Sequence, residues 1–114
     1  MKIRFQDIQW LTDLSPEPHL LVRQGKIQYL NRAAIELLGV DSDKAVIGLP
    51  VERFIAPECL PRAGELFDRL ARQQGQGELA ELKWLRPDGK PLYLEVRGSG
   101  ILYCDEPAFT LVCR

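Results

Sequence analysis

Apolar and polar positions alternate most regularly in the last third of the chain. Leu82 and Trp84 bracket Lys83, and Leu92, Leu94 and Val96 alternate with Tyr93, Glu95 and Arg97. This period of two is that of a strand burying one face of a sheet. Between the runs stands Pro87-Asp88-Gly89-Lys90. Proline fixes one turn dihedral and Asp-Gly supplies positive-φ positions, so a hairpin is predicted there. A second is predicted at Asp105-Glu106-Pro107, between Ile101-Leu102-Tyr103 and Phe109-Thr110-Leu111-Val112-Cys113, runs rich in β-branched and aromatic residues. Glu78 to Arg114 thus reads as a three-stranded antiparallel meander.

Upstream the period changes. From Ile3 to Leu14, Phe5, Ile8, Trp10 and Leu11 recur among Arg4, Gln6, Asp7 and Gln9, which predicts a short amphipathic helix ended by Ser15-Pro16-Glu17-Pro18. His19–Arg23 and Lys26–Leu30 flank Gln24-Gly25 and predict an antiparallel pair, making five strands in all. Asn31 stands where an N-cap would serve residues 32–38, and Gly39 is the matching stop. Short helical turns are expected near 41–47 and 51–55. Ala63, Leu66, Phe67, Leu70 and Ala71 form a single stripe on a longer helix from Glu58 to Gln74, with Glu65–Arg69 and Asp68–Arg72 as i,i+4 pairs worth about 0.3 kcal/mol each.

Composition narrows the function more than the fold. The 114 residues suit one domain with its own core. A net charge of −1, with no cluster of Lys and Arg on one face, lacks the electrostatic footprint of a nucleic-acid or anionic-membrane binder. Neither partner is expected. Cys59, Cys104 and Cys113 are odd in number and lack paired spacing, which points to a reduced, cytoplasmic setting. No apolar run approaches the roughly 20 residues of a membrane span.

Two strands, short helices, one longer helix and a meander is an element order that resembles the PAS (Per-Arnt-Sim) sensor domain, over Leu14 to Arg114. Ile27-Gln28-Tyr29-Leu30-Asn31-Arg32-Ala33-Ala34 is similar to the family's second strand entering its first helix. Leu37-Leu38-Gly39 and Ile47-Gly48 resemble its helix stops. Arg86-Pro87-Asp88-Gly89-Lys90 followed by Leu94-Glu95-Val96 resembles its third and fourth strands, and Phe109 to Arg114 its last. The resemblance implies an α+β fold: a five-stranded antiparallel PAS-like sheet with short helices and one longer helix covering one face. An N-terminal amphipathic helix at 1–14 precedes the domain at 15–114. It also implies a sensory or interaction module of a larger signalling protein, relaying ligand- or partner-dependent packing changes through its termini to an effector domain. The alternative is a constitutive dimerisation scaffold without a ligand.

The family's cofactor branches do not match residue by residue. Haem-binding members carry a histidine on the long helix; here the lone histidine, His19, opens a strand. Flavin-photoadduct members carry Asn-Cys-Arg-Phe, whereas Cys59 stands in Pro57-Glu58-Cys59-Leu60-Pro61, either an inert thiol or one activated by a helix start. No cofactor, metal or catalytic residue is expected, since Ser15, Ser42 and Ser99 have one histidine among them and none lies in a nucleophile-elbow text. Gly98-Ser99-Gly100 marks either a bulge or a close approach to the sheet.

What remains is the space between the helices and the concave sheet face. Phe54, Leu66, Phe67, Leu70, Leu82, Trp84, Leu94 and Val96 are the expected lining for a small apolar ligand, or else simply core. A charged ligand group buried there without a partner would cost several kcal/mol, and Arg86 or Arg97 would reverse that only by pointing inward. Phe5, Ile8 and Leu11 give the N-terminal helix an apolar stripe for a homodimer, or for an intramolecular cap over the outer sheet face.

Overall fold

The computed structural model describes residues 2–3, 16–72 and 77–114. In chain order these form β1 (Lys2–Ile3), β2 (His19–Arg23), β3 (Lys26–Leu30), α1 (Arg32–Leu38), 3-10 turns at Asp43–Ala45, Val51–Phe54 and Pro57–Cys59, α2 (Leu60–Arg72), β4 (Gly77–Leu85), β5 (Pro91–Tyr103) and β6 (Glu106–Cys113). The five expected strands are present. A sixth, β1, runs parallel to Leu102–Tyr103 of β5, so Ile3 is strand where a helix start was expected. The rest of the expected N-terminal helix, with Phe5, Ile8 and Leu11, lies outside the described residues.

The sheet order is β1-β5-β6-β2-β3, with β4 also on β5. The 13-residue β5 is its spine: β4 pairs with residues 91–99 and β6 with 96–103. Its register runs unbroken through Gly98-Ser99-Gly100, so there is no bulge. The other reading holds, because a Cβ on Gly98 would overlap Cδ1 of Leu70 on α2. The helix rests directly on the strand where glycine leaves room.

Turn chemistry closes the hairpins. Gln24 and Gly25 sit at φ 55° and 74°, the doubly left-handed turn that matches strand twist. Cys104 and Asp105 do the same at 51° and 66°, placing the second meander turn one residue earlier than predicted and leaving Glu106-Pro107 to open β6. In the β2–β3 pair, Leu21 meets Tyr29 but Val22 meets Ile27, so Gln28 is bulged out. The bulge sends Ile27 and Leu30 to the main core while Tyr29 joins Leu21 in a second cluster on the other face with Ile101, Tyr103 and Ala108.

Asn31 is the sole buried polar residue among those described. Its Oδ1 accepts from Ala34 N at 3.0 Å, the expected N-cap of α1, and also from His19 N at 2.9 Å, while Nδ2 donates to Glu17 O at 2.8 Å. One amide therefore ties the helix start to β2. Gly39 ends α1 at φ 69° with its N–H shared between Ile35 O and Glu36 O.

Candidate functional site

The layer between α2 and the sheet is built by matched periods. Ala63, Leu66, Phe67 and Leu70 are the buried stripe of α2. Below them Leu82 pairs with Leu94 and Ala80 with Val96 on the inner face of β4–β5. Phe67 stacks on Phe109 of β6, centroids 5.1 Å apart. Phe54, Leu66, Phe67, Leu70, Leu82, Trp84, Leu94 and Val96, the expected lining, are all buried members of this one cluster, so the fold brings them together. Trp84 is wholly inaccessible, yet its Nε1–H meets no acceptor. A buried donor left unpaired costs about 1–3 kcal/mol.

Three clefts that touch the expected lining open around this layer rather than inside it. One, of about 510 Å³, lies between the end of α1, the first two 3-10 turns and the β4–β5 hairpin, and Phe54 is its one member of the expected lining. A second, of about 560 Å³, runs along Cys59, Arg62, Glu81, Lys83, Tyr93 and Glu95 and includes Leu82 and Leu94. A third, of about 380 Å³, takes in Phe67 beside Val22, Val51 and Phe109. Leu66, Leu70, Trp84 and Val96 line none of these three.

The first cleft contains two arginines, Arg53 and Arg86, neither of them in the expected lining. Arg86 follows β4 at the hairpin, where its N–H donates to Lys90 O and its carbonyl accepts from Gly89 N. Its guanidinium comes so close to Gly39 that a Cβ there would overlap Nη2, Nε and Cζ. Gly39 is thus required twice, for its positive φ and for this approach. The Arg-Pro-Asp-Gly text marked the turn, but only the tertiary fold shows that the turn reaches the end of α1. Arg97 is exposed and points away.

Other charged groups are tied at the surface. Lys83 Nζ pairs with Glu58 Oε2 at 3.0 Å. Backbone hydrogen bonding and then Lys83 hold the Glu58 carboxyl below its ordinary range, and Glu58 raises Lys83 in turn. Arg69 reaches Glu78 on β4 with two 3.1 Å bonds from Nε rather than closing the expected pair with Glu65. Arg72 does meet Asp68, at 3.8 Å. Cys59 is half-buried with Arg62 Nη2 3.9 Å from its sulfur, Cys104 is an exposed turn thiol, and Cys113 is buried with its pKa pushed up to about 12. Among the described residues no group of three His, Cys, Asp or Glu could hold a metal ion. No described helix is long and apolar enough to cross a membrane.

A family model described as a PAS domain matches residues 16–113. The chain is 32% identical over 106 residues to Sporulation kinase A of Bacillus subtilis, covering 93% of this chain and 17% of that protein. Among solved structures it is similar to the PAS domain of an HTR-like protein from Haloarcula marismortui, with a TM-score of 0.74, 20% identity and coverage of 96% and 94% of the two chains. A PAS domain from Colwellia psychrerythraea superposes with a TM-score of 0.78, at 20% identity and coverage of 96% and 93%. The fold, its element order and the family match agree, and the chain belongs to the PAS domain family.

Proposed function

We propose that this domain is the sensory module of a larger cytoplasmic signalling protein, non-catalytic itself, which passes changes in the packing between α2 and the sheet through its termini to an effector domain. The observation that carries the reading is the match to a kinase over 93% of this chain but only 17% of that protein, the relation of a module to a multidomain whole. The unpaired Trp84 Nε1 supports ligand sensing, since an acceptor reaching it would gain a hydrogen bond that the protein does not supply. The expected ligand is small and largely apolar, bound among Phe54, Leu66, Phe67, Leu70, Leu82, Trp84, Leu94 and Val96. Pairing of two copies through Phe5, Ile8 and Leu11 belongs to the same proposal.

The second reading, a constitutive dimerisation scaffold, is favoured by one observation: those eight side chains are no more than 7% exposed, as in a filled core. Native mass spectrometry of the protein purified from cells separates the two. A retained small molecule is expected for the sensor. Dimers without one, unaffected in affinity by any added compound, would favour the scaffold. Ile8→Asp should yield monomers, and a dimer that survives it would move the interface elsewhere.

A further inference from the structure

We propose that the cleft between the end of α1 and the β4–β5 hairpin binds the carboxylate of a small amphipathic acid, with Arg86 gripping the head group and the apolar wall holding the body. The inference goes beyond the sensing reading, which needs only an apolar ligand in the helix–sheet layer, and it assigns a different opening and a different ligand chemistry.

Three observations carry it. Arg86 is only loosely paired: its Nε is buried without a hydrogen-bond partner, and its ion pair with Asp88 Oδ2 is a long one, 3.8 Å from Nε, beyond hydrogen-bonding reach. Asp88 is itself engaged, its Oδ1 accepting from Lys90 N at 3.0 Å. Among the described residues no acceptor bonds the guanidinium. It is nevertheless held close against Gly39, and a held guanidinium forks onto a carboxylate with little further ordering.

Arg53, from the turn Val51–Phe54, is a second cation on the same cleft without an ion pair among the described residues. Against these two stand Asp41 on the wall and Asp88 beside Arg86, so the formal charges are even and no second anion would be matched. A monoacid fits that balance better than a dicarboxylate or a nucleotide. The remaining wall is hydrocarbon: Val40, Val46, Leu49, Phe54 and Leu85. At about 510 Å³ the cleft falls within the range of small-molecule sites, in which a mostly apolar lining is oriented by few polar groups.

A cation at the end of a helix also has a purely structural use, since it offsets the partial negative charge of the last carbonyls. That use predicts an effect on stability and none on the choice of ligand. The two are separated on the unaltered protein by titrating octanoate, 3-phenylpropionate and decanoate, with 1-octanol and octylamine as uncharged and cationic controls, while following the backbone amides of Gly39, Arg86 and Gly89 by NMR. At least one acid should give saturable shifts at these amides, with octanol about tenfold weaker or more, the usual size of a lost charge-assisted hydrogen bond. Arg86→Gln should weaken the acid about tenfold and leave octanol unchanged. Arg86→Lys, which keeps the charge but not the fork, should fall between. Equal binding of acid and alcohol, or no saturable shift from any of the three acids, overturns the proposal without any variant being made. An Arg86→Gln protein that folds and binds the acid as before overturns it too. A null result here leaves the mass-spectrometric test of sensing standing, because that test does not depend on this cleft.

Discussion

Gly98 of β5 lies directly beneath Leu70 of α2, so close that a methyl group on the glycine would overlap Leu70 Cδ1 and stand 3.3 Å from Leu111 Cδ2. Leu70 and Leu111 are both buried, so neither can swing into solvent to make way. Gly98→Ala should therefore destabilise the domain by about 1–2 kcal/mol, as overpacked cores do. If this contact is the cause, Gly98→Ala combined with Leu70→Ala should lose less than the sum of the two single losses in urea unfolding. Strict additivity would show that the strand and helix are not in hard contact.

Asn31 joins three backbone groups through one buried amide. Asn31→Ala removes the α1 cap and strands the His19 N–H and the Glu17 carbonyl. The expected loss is about 2–3 kcal/mol, larger than for an exposed cap. Chemical denaturation measures it, and a loss under about 1 kcal/mol would mean that water replaces the amide.

Burial holds the His19 imidazole below its ordinary value of 6.5, an effect only partly opposed by Glu17. The folded state then favours neutral His19, while the unfolded chain takes up its proton near 6.5. Between 6.5 and the depressed folded value the unfolded state binds more protons, so stability should fall as pH drops through that window and stay level in this respect above about pH 7. Thermal unfolding of wild type and His19→Gln between pH 7.5 and 5 tests it. The wild type should lose more over that interval, and parallel curves would remove His19 as the source.

The thiols should separate by accessibility. Cys113 is 1% exposed with a pKa near 12, so at pH 8 it is neither ionised nor reachable. Native labelling with iodoacetamide followed by peptide mapping should modify Cys104 first and Cys113 only at the rate of unfolding. Rapid labelling of Cys113 would mean that β6 opens locally far more often than the rest of the core.

The strands and α2 were readable because their periods are local: Leu82-Lys83-Trp84 and the Leu66, Phe67, Leu70 stripe declare a buried face whatever they pack against. What the sequence hid were relationships set by distant segments. Arg69 chose Glu78 over Glu65 because β4 passes alongside α2, and nothing in the helix text announces a neighbour nine residues on. The two-residue β1 has no pattern of its own; it exists only as an addition to the edge of β5. Arg86 belongs to the first cleft through the fold-back of a hairpin onto Gly39. The eight side chains expected to line a pocket are buried in one cluster, but periodicity carries no information on whether the space they face is filled.

The bulge at Gln28 has a consequence for chain length. Pairing runs Leu20 with Leu30, Leu21 with Tyr29, Val22 with Ile27 and Arg23 with Lys26, so Gln28 is the one residue of β3 without an opposite number. A chain lacking it would still offer Leu30 inward, Tyr29 outward and Ile27 inward in regular alternation, whereas deleting Ile27 would turn Gln28 inward against Val22. Its side chain accepts a long 3.5 Å bond at Oε1 from Arg23 Nη2. Gln28 is therefore a spare letter in the strand, the point at which a lineage can shorten this hairpin by one residue and keep every side chain on its own side of the sheet.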